Sequence, residues 1–396
     1  MNILYLAPVA FDYLKQRPQY LAEELAKKHC VWYVEPTVSV LARSSARTMC
    51  TAESSRISRS LYRIRLSGRA SLPYKLKVFD RMRLCIRYEA AQIRRMRIRF
   101  DLIWVGYCGR YDLVKCFPHI PVVYDRMDNN VLLTRDWLTR RYLICAEKWI
   151  CARAQIVLTS AKKLYEQMKG LRDHVYLLPN ALPENYGENY LPSDGWQEDN
   201  GEKYLLSDAL QGDDAGSSLL FGKAGVRNFL YVGTIAEWFD YDSIRCMATH
   251  GNDKITLVGP VTGEKVRLSN VHYTGKVPKE EIGAYIAQSD VCLYPFRKGK
   301  LLDTINPVKI YEYLAFNKPV IARRSMETEQ FADYVYLYSD EKELKQLLCA
   351  KLEPPFATKE AYDRFVSGNT WGCRAAFLEQ ILQTLTLYEL SEDIQR

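Results

Sequence analysis

The chain has 396 residues, 48% hydrophobic, 12% aromatic and 26% charged. That is enough for two domains with their own cores and too apolar for a disordered chain. No uncharged stretch exceeds 11 residues, against the roughly 20 apolar residues of a membrane-spanning helix; eleven cysteines without a CxxC pair and five scattered histidines argue against a disulfide framework or a zinc site.

The longest uncharged run is the N-terminus, MNILYLAPVAF, which has no basic leader and leads into Asp12 and Arg17. It reads as a first strand rather than a signal peptide, so a cytoplasmic protein is expected. Strands are predicted at 3–7, 31–34, 102–105, 122–124 and 156–158, with helices at 17–28, 134–153 and 161–170. This alternation calls for a doubly wound parallel sheet. Between the second and third of these strands lies a basic segment, 43–99, with sixteen Lys or Arg against Glu53, Asp80 and Glu89; it carries +13, and the rest of the chain −5, of an overall +8. Within it Leu76, Phe79, Met82, Ile86, Ile93 and Met96 recur at helical spacing, with Arg81, Arg83, Arg87, Arg94 and Arg95 on the other faces. Two readings stand: the solvated outer face of a packed helix, or docking on an anionic membrane surface, where each basic residue adds about 1 kcal/mol. Nucleic acid is not an expected partner, because no helix-turn-helix, RRM or zinc-finger pattern accompanies the charge.

From 183 to 227 the text is rich in Gly, Ser, Asn and Asp and has no sustained period, so it reads as a linker or insertion. Alternation resumes with strands at 229–232, 255–258, 271–273, 291–294 and 320–321 and helices at 280–288, 308–316 and 341–348. The predicted organisation is therefore 1–182 as a first Rossmann-like domain, 183–227 as an acidic joint, 228–368 as a second Rossmann-like domain, and 369–396 as a C-terminal helix able to pack back on the first. In such domains ligands bind beyond the carboxyl ends of the strands, which puts the expected site in a cleft between the two.

Two stretches carry chemistry. In YVGTI, 231–235, a strand runs into Gly233 and Thr234 and then a helical pattern, a geometry that lets backbone approach a phosphate. In DTINPVKIYEYLAFNKPVIA, 303–322, Pro307 suits a first helical turn and Asn306 its cap, and Lys309 and Glu312, three apart, share a face. Lys309 can neutralise a diphosphate and Glu312 can accept from ribose hydroxyls; a simple surface ion pair between them is the alternative. In the first domain Asp128, with Asp125 second, is the candidate base in VVYDRMDN, and both can equally be turn or cap aspartates. Arg17, after the first strand, is a candidate for an acceptor phosphate or for helping the donor diphosphate, with a surface arginine at a helix start as the alternative. Asp240 and Asp242 form a DxD triplet at a helix start, where residues two apart do not share a face, so no metal is read from it.

These segments, with VHYTGKVP at 271–278, SDVCLYPF at 289–296, NPVKIYEYLAFNKPV at 306–320 and KQRPQYLAEELAKKHCVWYVEP at 15–36, resemble GT-B glycosyltransferases of the family 4 type. In particular they resemble bacterial polysaccharide enzymes of the teichuronic-acid and xanthan glucuronosyltransferase type. It implies a GT-B fold, α/β with two Rossmann-like domains, and a metal-independent transfer from a nucleotide-sugar, with UDP the expected nucleotide. A lipid-linked or polysaccharide acceptor at the inner face of the cell membrane is also implied. Lys309 would meet the donor pyrophosphate and Glu312 the ribose. Gly233, Thr234 and Asn306 would line the donor site, with backbone near Val277 at the base. Many relatives carry a second Glu eight positions before the ribose Glu; here that position is Thr304, which favours an inverting transfer with Asp128 as base. A nucleotide-sugar 2-epimerase of the same fold and a non-catalytic nucleotide-sugar-binding adaptor are the competing functions.

Overall fold

The computed structural model describes residues 1–37, 52–67, 84–187, 196–199, 202–205, 226–263 and 265–394. They divide into two compact units, Met1–Asn180 with Arg374–Arg396, and Ala181–Cys373.

The first unit holds β1 (Asn2–Leu6), β2 (Cys30–Val34), β3 (Glu53–Arg56), β4 (Leu61–Arg65), β5 (Leu102–Val105), β6 (Val122–Arg126), β7 (Ile156–Thr159) and β8 (Val175–Leu177). They form one sheet in the order β3-β4-β2-β1-β5-β6-β7-β8. Every pairing is parallel except β3 with β4. Ile3 to Leu6 on β1 are fully buried, as expected of a central strand covered on both faces, and this is why the run shows no polar alternation. The helices are α1 (Arg17–Leu25), α2 (Leu84–Arg95), α3 (Tyr111–Val114), α4 (Asn130–Leu133), α5 (Trp137–Arg153) and α6 (Lys162–Lys169). The helix expected at 134–153 starts later because the Asp136 carboxylate accepts from the backbone N–H of Thr139 and caps α5 there.

The basic segment differs from expectation. β3 and β4 lie inside it, and β3 escaped prediction because all four of its residues are exposed and show no apolar alternation. In α2 the stripe residues Ile86 and Ile93 are buried in the core of the unit, while Arg87, Arg94 and Arg95 are exposed. That part of the apolar face is used for packing and is not available for insertion into a bilayer. Leu76, Phe79, Met82, Arg81 and Arg83 lie outside the described residues.

The second unit opens with an antiparallel hairpin, β9 (Trp196–Asp199) and β10 (Glu202–Leu205), within the segment read as a linker or insertion. Its main sheet contains β11 (Asn228–Val232), β12 (Lys254–Val258), β13 (Val271–Gly275), β14 (Val291–Tyr294), β15 (Val320–Arg323) and β16 (Tyr336–Tyr338), in the order β13-β12-β11-β14-β15-β16. All pairings are parallel. Helices α7 (Tyr241–Thr249), α8 (Lys279–Gln288), α9 (Val308–Ala315), α10 (Glu341–Cys349), α11 (Lys359–Gly368) and α12 (Trp371–Ile394) follow. From Arg374 onward α12 belongs to the first unit, where Glu379 meets His29 at 3.1 Å and Phe377 packs edge-on to Tyr176.

The order of the parallel strands reverses at β1/β5 in the first unit and at β11/β14 in the second. A parallel sheet opens a crevice for ligands at such a point, beyond the carboxyl ends of the strands. No described helix is long and apolar enough to cross a membrane.

Candidate functional site

In the second unit the crevice is present. A cavity of about 280 Å³ is lined by Glu237 and Trp238 from the loop after β11, and by Phe296, Arg297, Lys298, Gly299, Lys300, Leu301, Leu302 and Ile305 from the loop after β14. Backbone bonds join the two loops: Asp240 N–H donates to the Pro295 carbonyl and Arg297 N–H to the Trp238 carbonyl, both at 2.8 Å. Trp238, Arg297, Lys298 and Lys300 were missed from sequence. The signal available was RKGK at 297–300, a basic, glycine-containing run directly after a strand.

Gly233 ends β11 with φ +156°, and Gly259 follows β12 with φ +139°. A Cβ on Gly259 would lie 2.0 Å from the Gly233 carbonyl oxygen, so only a glycine at 259 lets these strand ends approach so closely. The Gly233 N–H donates to Val258 and the Gly259 N–H to Gly275, which links the ends of β11, β12 and β13. Thr234, the next residue, is exposed. Val277, in the turn before α8, is half-buried against the core.

Helix α9 begins three residues after Ile305. Its buried face carries Ile310, Tyr311, Tyr313 and Leu314, and the Tyr313 hydroxyl accepts from the Val232 N–H at 2.9 Å, tying α9 to the end of β11. Lys309 and Glu312 stand together on the remaining face, Nζ 2.5 Å from Oε2, with side chains 27% and 14% exposed. They form the ion pair weighed as the alternative, but one partly withdrawn from water, where a charge pair is less screened than at the surface.

Asn306 departs from expectation. Pro307 occupies the cap position of α9, and no side chain caps the helix. Asn306 is buried instead, its Nδ2 donating to Glu327 Oε2 at 3.1 Å. Thr304 is 2% exposed, and its hydroxyl donates to the Leu301 carbonyl at 2.8 Å. The triplet Asp240-Tyr241-Asp242 starts α7, and its carboxylates are engaged separately. Asp240 caps the helix, accepting from Ser243 N and Oγ at 3.2 and 2.7 Å, and pairs with Arg323; Asp242 pairs with Arg245. Among the described residues no group of three or more His, Cys, Asp or Glu is placed to hold a metal.

In the first unit Arg17, Asp125 and Asp128 come together at the carboxyl ends of β1 and β6. Arg17 is not a surface arginine. It is 5% exposed, its Nε and Nη2 meet Asp125 at 3.0 and 2.7 Å, and its Nη1 donates to the Leu178 carbonyl at 2.7 Å. Pro18 suits the first turn of α1, so the strand-to-helix connection delivers this arginine to the sheet. The pairing corrects two expectations. Asp125, fully buried, is the counter-charge of Arg17 and not placed to take a proton from an acceptor hydroxyl, and Arg17 spends on Asp125 the fork an acceptor phosphate would need.

Asp128 lies two residues beyond β6 in a turn held by Met127 N–H donating to the Asp125 carbonyl (3.1 Å) and the Ser160 hydroxyl donating to the Met127 carbonyl (2.5 Å). Burial pushes its carboxyl above the usual aspartate range, Arg17 opposes the shift, and Asp125 adds to it. A carboxylate raised in this way is better matched to proton transfer near neutral pH than an exposed one.

Residues 242–380 match the family model described as "Glycosyl transferase-like". Known structures with the same fold include the α,α-trehalose 6-phosphate synthase of Burkholderia multivorans, at TM-score 0.62 and 11% identity over 99% of this chain and 98% of that one. The catalytic domain of starch synthase IV from Arabidopsis thaliana aligns at TM-score 0.57 and 11% identity, over 97% and 98%. The fold is thus GT-B, and within it residues 242–380 are similar to that glycosyl transferase-like family. A similar sequence is the putative teichuronic acid biosynthesis glycosyltransferase TuaH of Bacillus subtilis (strain 168), 31% identical over 130 residues. That match spans about a third of each protein, 31% of this chain and 32% of the relative.

Proposed function

We propose that this protein is a glycosyltransferase that moves a sugar from a nucleotide-diphosphate donor, a UDP-sugar, to a lipid-linked or polysaccharide acceptor in bacterial surface glycan synthesis. The observation that carries the reading is the Lys309–Glu312 pair on α9, a helix that begins three residues after Ile305 of the basic crevice where the second sheet reverses its order. Lys309 meets the diphosphate and Glu312 the ribose; Gly233 and Thr234 lie on the phosphate side, Val277 on the base side, and Asn306 keeps the start of α9 in place through Glu327. UDP is favoured because a trehalose-6-phosphate structure from E. coli with the same fold holds UDP-2-fluoro glucose, and the glycan role by the printed name of the Bacillus relative. The transfer is inverting and needs no metal, with Asp128 as base.

Lys309→Ala is expected to weaken UDP binding more than uridine binding, because it removes a charge that only the phosphates feel, whereas Glu312→Ala is expected to weaken both. Calorimetry on the two variants tests the donor site, and unchanged affinity in both would remove it. Incubation of UDP-sugars with a mixed lipid-glycan acceptor pool tests the reaction. A new sugar nucleotide formed without acceptor would point to an epimerase, and donor binding without any turnover to an adaptor.

The protein acts at the inner face of the cell membrane, held there by charge. Arg87, Arg94, Arg95, Arg97 and Arg99 are exposed, while Ile86 and Ile93 are committed to the core, so among the described residues of this segment the attachment comes from charge. Binding to vesicles with anionic lipid is expected to exceed binding to neutral ones and to fall as salt shortens the screening length below about 8 Å. Equal sedimentation with both vesicle types would rule this out.

A further inference from the structure

Three arginines of the first unit are buried among the described residues: Arg17, Arg110 and Arg126, at 5%, 3% and 4% exposure. Two are matched by a carboxylate along the Nε–Nη2 edge, whose two N–H bonds run side by side. Asp125 meets Arg17 there, and Glu147 meets Arg126, 2.7 Å from Nε and 3.3 Å from Nη2. Arg110 differs. Its Nη1 donates one long bond, 3.4 Å, to the Glu35 carbonyl, and its Nε and Nη2, both shielded from solvent, have no hydrogen-bond partner.

The nearby carboxylates are already committed. Glu35 accepts from the Phe11 N–H at 2.9 Å and from Arg65 Nε at 2.8 Å. Asp112 accepts from the Tyr142 hydroxyl at 3.1 Å and pairs with Lys115 at 3.6 Å. Asp12 is shared by Arg63 and Arg65. A guanidinium remains charged in a protein, and a buried charge without a counter-charge is among the costliest features a fold can carry. The edge without partners is the one that receives a planar oxyanion through two parallel bonds.

Its place in the fold points to a ligand as well. Arg110 ends the turn Cys108–Arg110 directly after β5 and reaches Glu35, directly after β2. Because β5 and β2 flank β1, the guanidinium spans the carboxyl end of β1, where this sheet reverses its order. Close packing holds the turn. A Cβ on Gly106 would lie 2.9 Å from Pro8 Cδ, and one on Gly109 would lie 2.5 Å from the Tyr107 ring.

We propose that Arg110 anchors an oxyanion-binding site at the carboxyl end of the first sheet, taking a phosphate or carboxylate through Nε and Nη2. The further assignment of that group to the sugar acceptor rests on the glycosyl-transfer reading; the site itself does not.

The test uses the full chain carrying Lys309→Ala, Arg297→Gln, Lys298→Gln and Lys300→Gln, which removes the cations placed at the donor site. Inorganic phosphate or acetate is expected to raise the unfolding temperature above that in chloride at equal ionic strength, and the more effective of the two identifies the anion. Adding Arg110→Met is expected to abolish the rise without lowering the anion-free unfolding temperature, whereas a purely structural arginine would lower it. Arg110→Lys, which keeps the charge and loses the fork, is expected to weaken the anion at least tenfold, and it carries the test if the methionine variant does not fold. No difference between either oxyanion and chloride, or the same rise with Arg110 replaced, would overturn the site. Arg110-dependent binding in a protein that transfers no sugar would uphold the site and overturn the transferase reading. Transfer to a phosphorylated acceptor that is insensitive to Arg110→Lys would remove the acceptor assignment alone.

Discussion

Asp128→Asn is expected to bind donor with the affinity of the parent protein and to turn over about 10²- to 10⁴-fold more slowly, the usual cost of losing a general base. The amide keeps the size and hydrogen-bonding capacity of the carboxylate and removes only its basicity. The pH profile gives a second readout. Because burial raises the Asp128 carboxyl, the base is protonated and inactive on the acid side, and kcat/KM is expected to climb with pH through a value above the ordinary aspartate range. In Asp128→Asn that limb should disappear. Arg17 holds the carboxyl down against burial, so Arg17→Met should shift the limb to higher pH. Full turnover in Asp128→Asn, or a product that retains the donor's anomeric configuration by NMR, would show that Asp128 is not the base of an inverting transfer.

The second large effect is on stability. Asp125→Ala leaves Arg17 buried at 5% exposure without its carboxylate, and breaking one side of a buried pair costs about 3–5 kcal/mol. Replacing both residues, Arg17→Met with Asp125→Leu, removes the charge along with its partner and is expected to recover most of that loss, since a well-packed apolar pair often matches a buried ion pair. Denaturant unfolding of the three proteins measures this. A single mutant as stable as the parent would mean that the pair contributes nothing to the fold. Loss of activity in Asp125→Asn is expected to follow the loss of fold in the first unit, and an inactive Asp125→Asn protein with undiminished stability would restore Asp125 as a candidate base.

Most of the sheet architecture was legible because parallel strands covered on both faces must be continuously apolar, and runs such as Ile3–Leu6 and Val291–Tyr294 stand out against charged helices. β3 was not legible, because an edge strand with four exposed residues has no buried face to mark it. In the span 303–322 the pairing was legible: residues three apart on a helix share a face whatever the fold, so Lys309 and Glu312 were bound to appear together. The cap assigned to Asn306 failed because its amide is satisfied by Glu327, 21 residues further on, a partner no local pattern announces.

The sequence by itself determined the periodic features: two alternating αβ halves, the helix face shared by Lys309 and Glu312, and the glycine after β11. These follow from spacing along one element, and spacing is written in the chain. Only the tertiary structure decided the charge partners. Asp125 reads as a free aspartate until α1 brings Arg17 to it across 108 residues; Arg110 reads as one more basic residue until the end of β1 buries it with one edge unmatched. Ion pairs are made by whichever residues the topology brings within a few ångströms, and the same low dielectric that makes a matched pair secure makes an unmatched charge conspicuous.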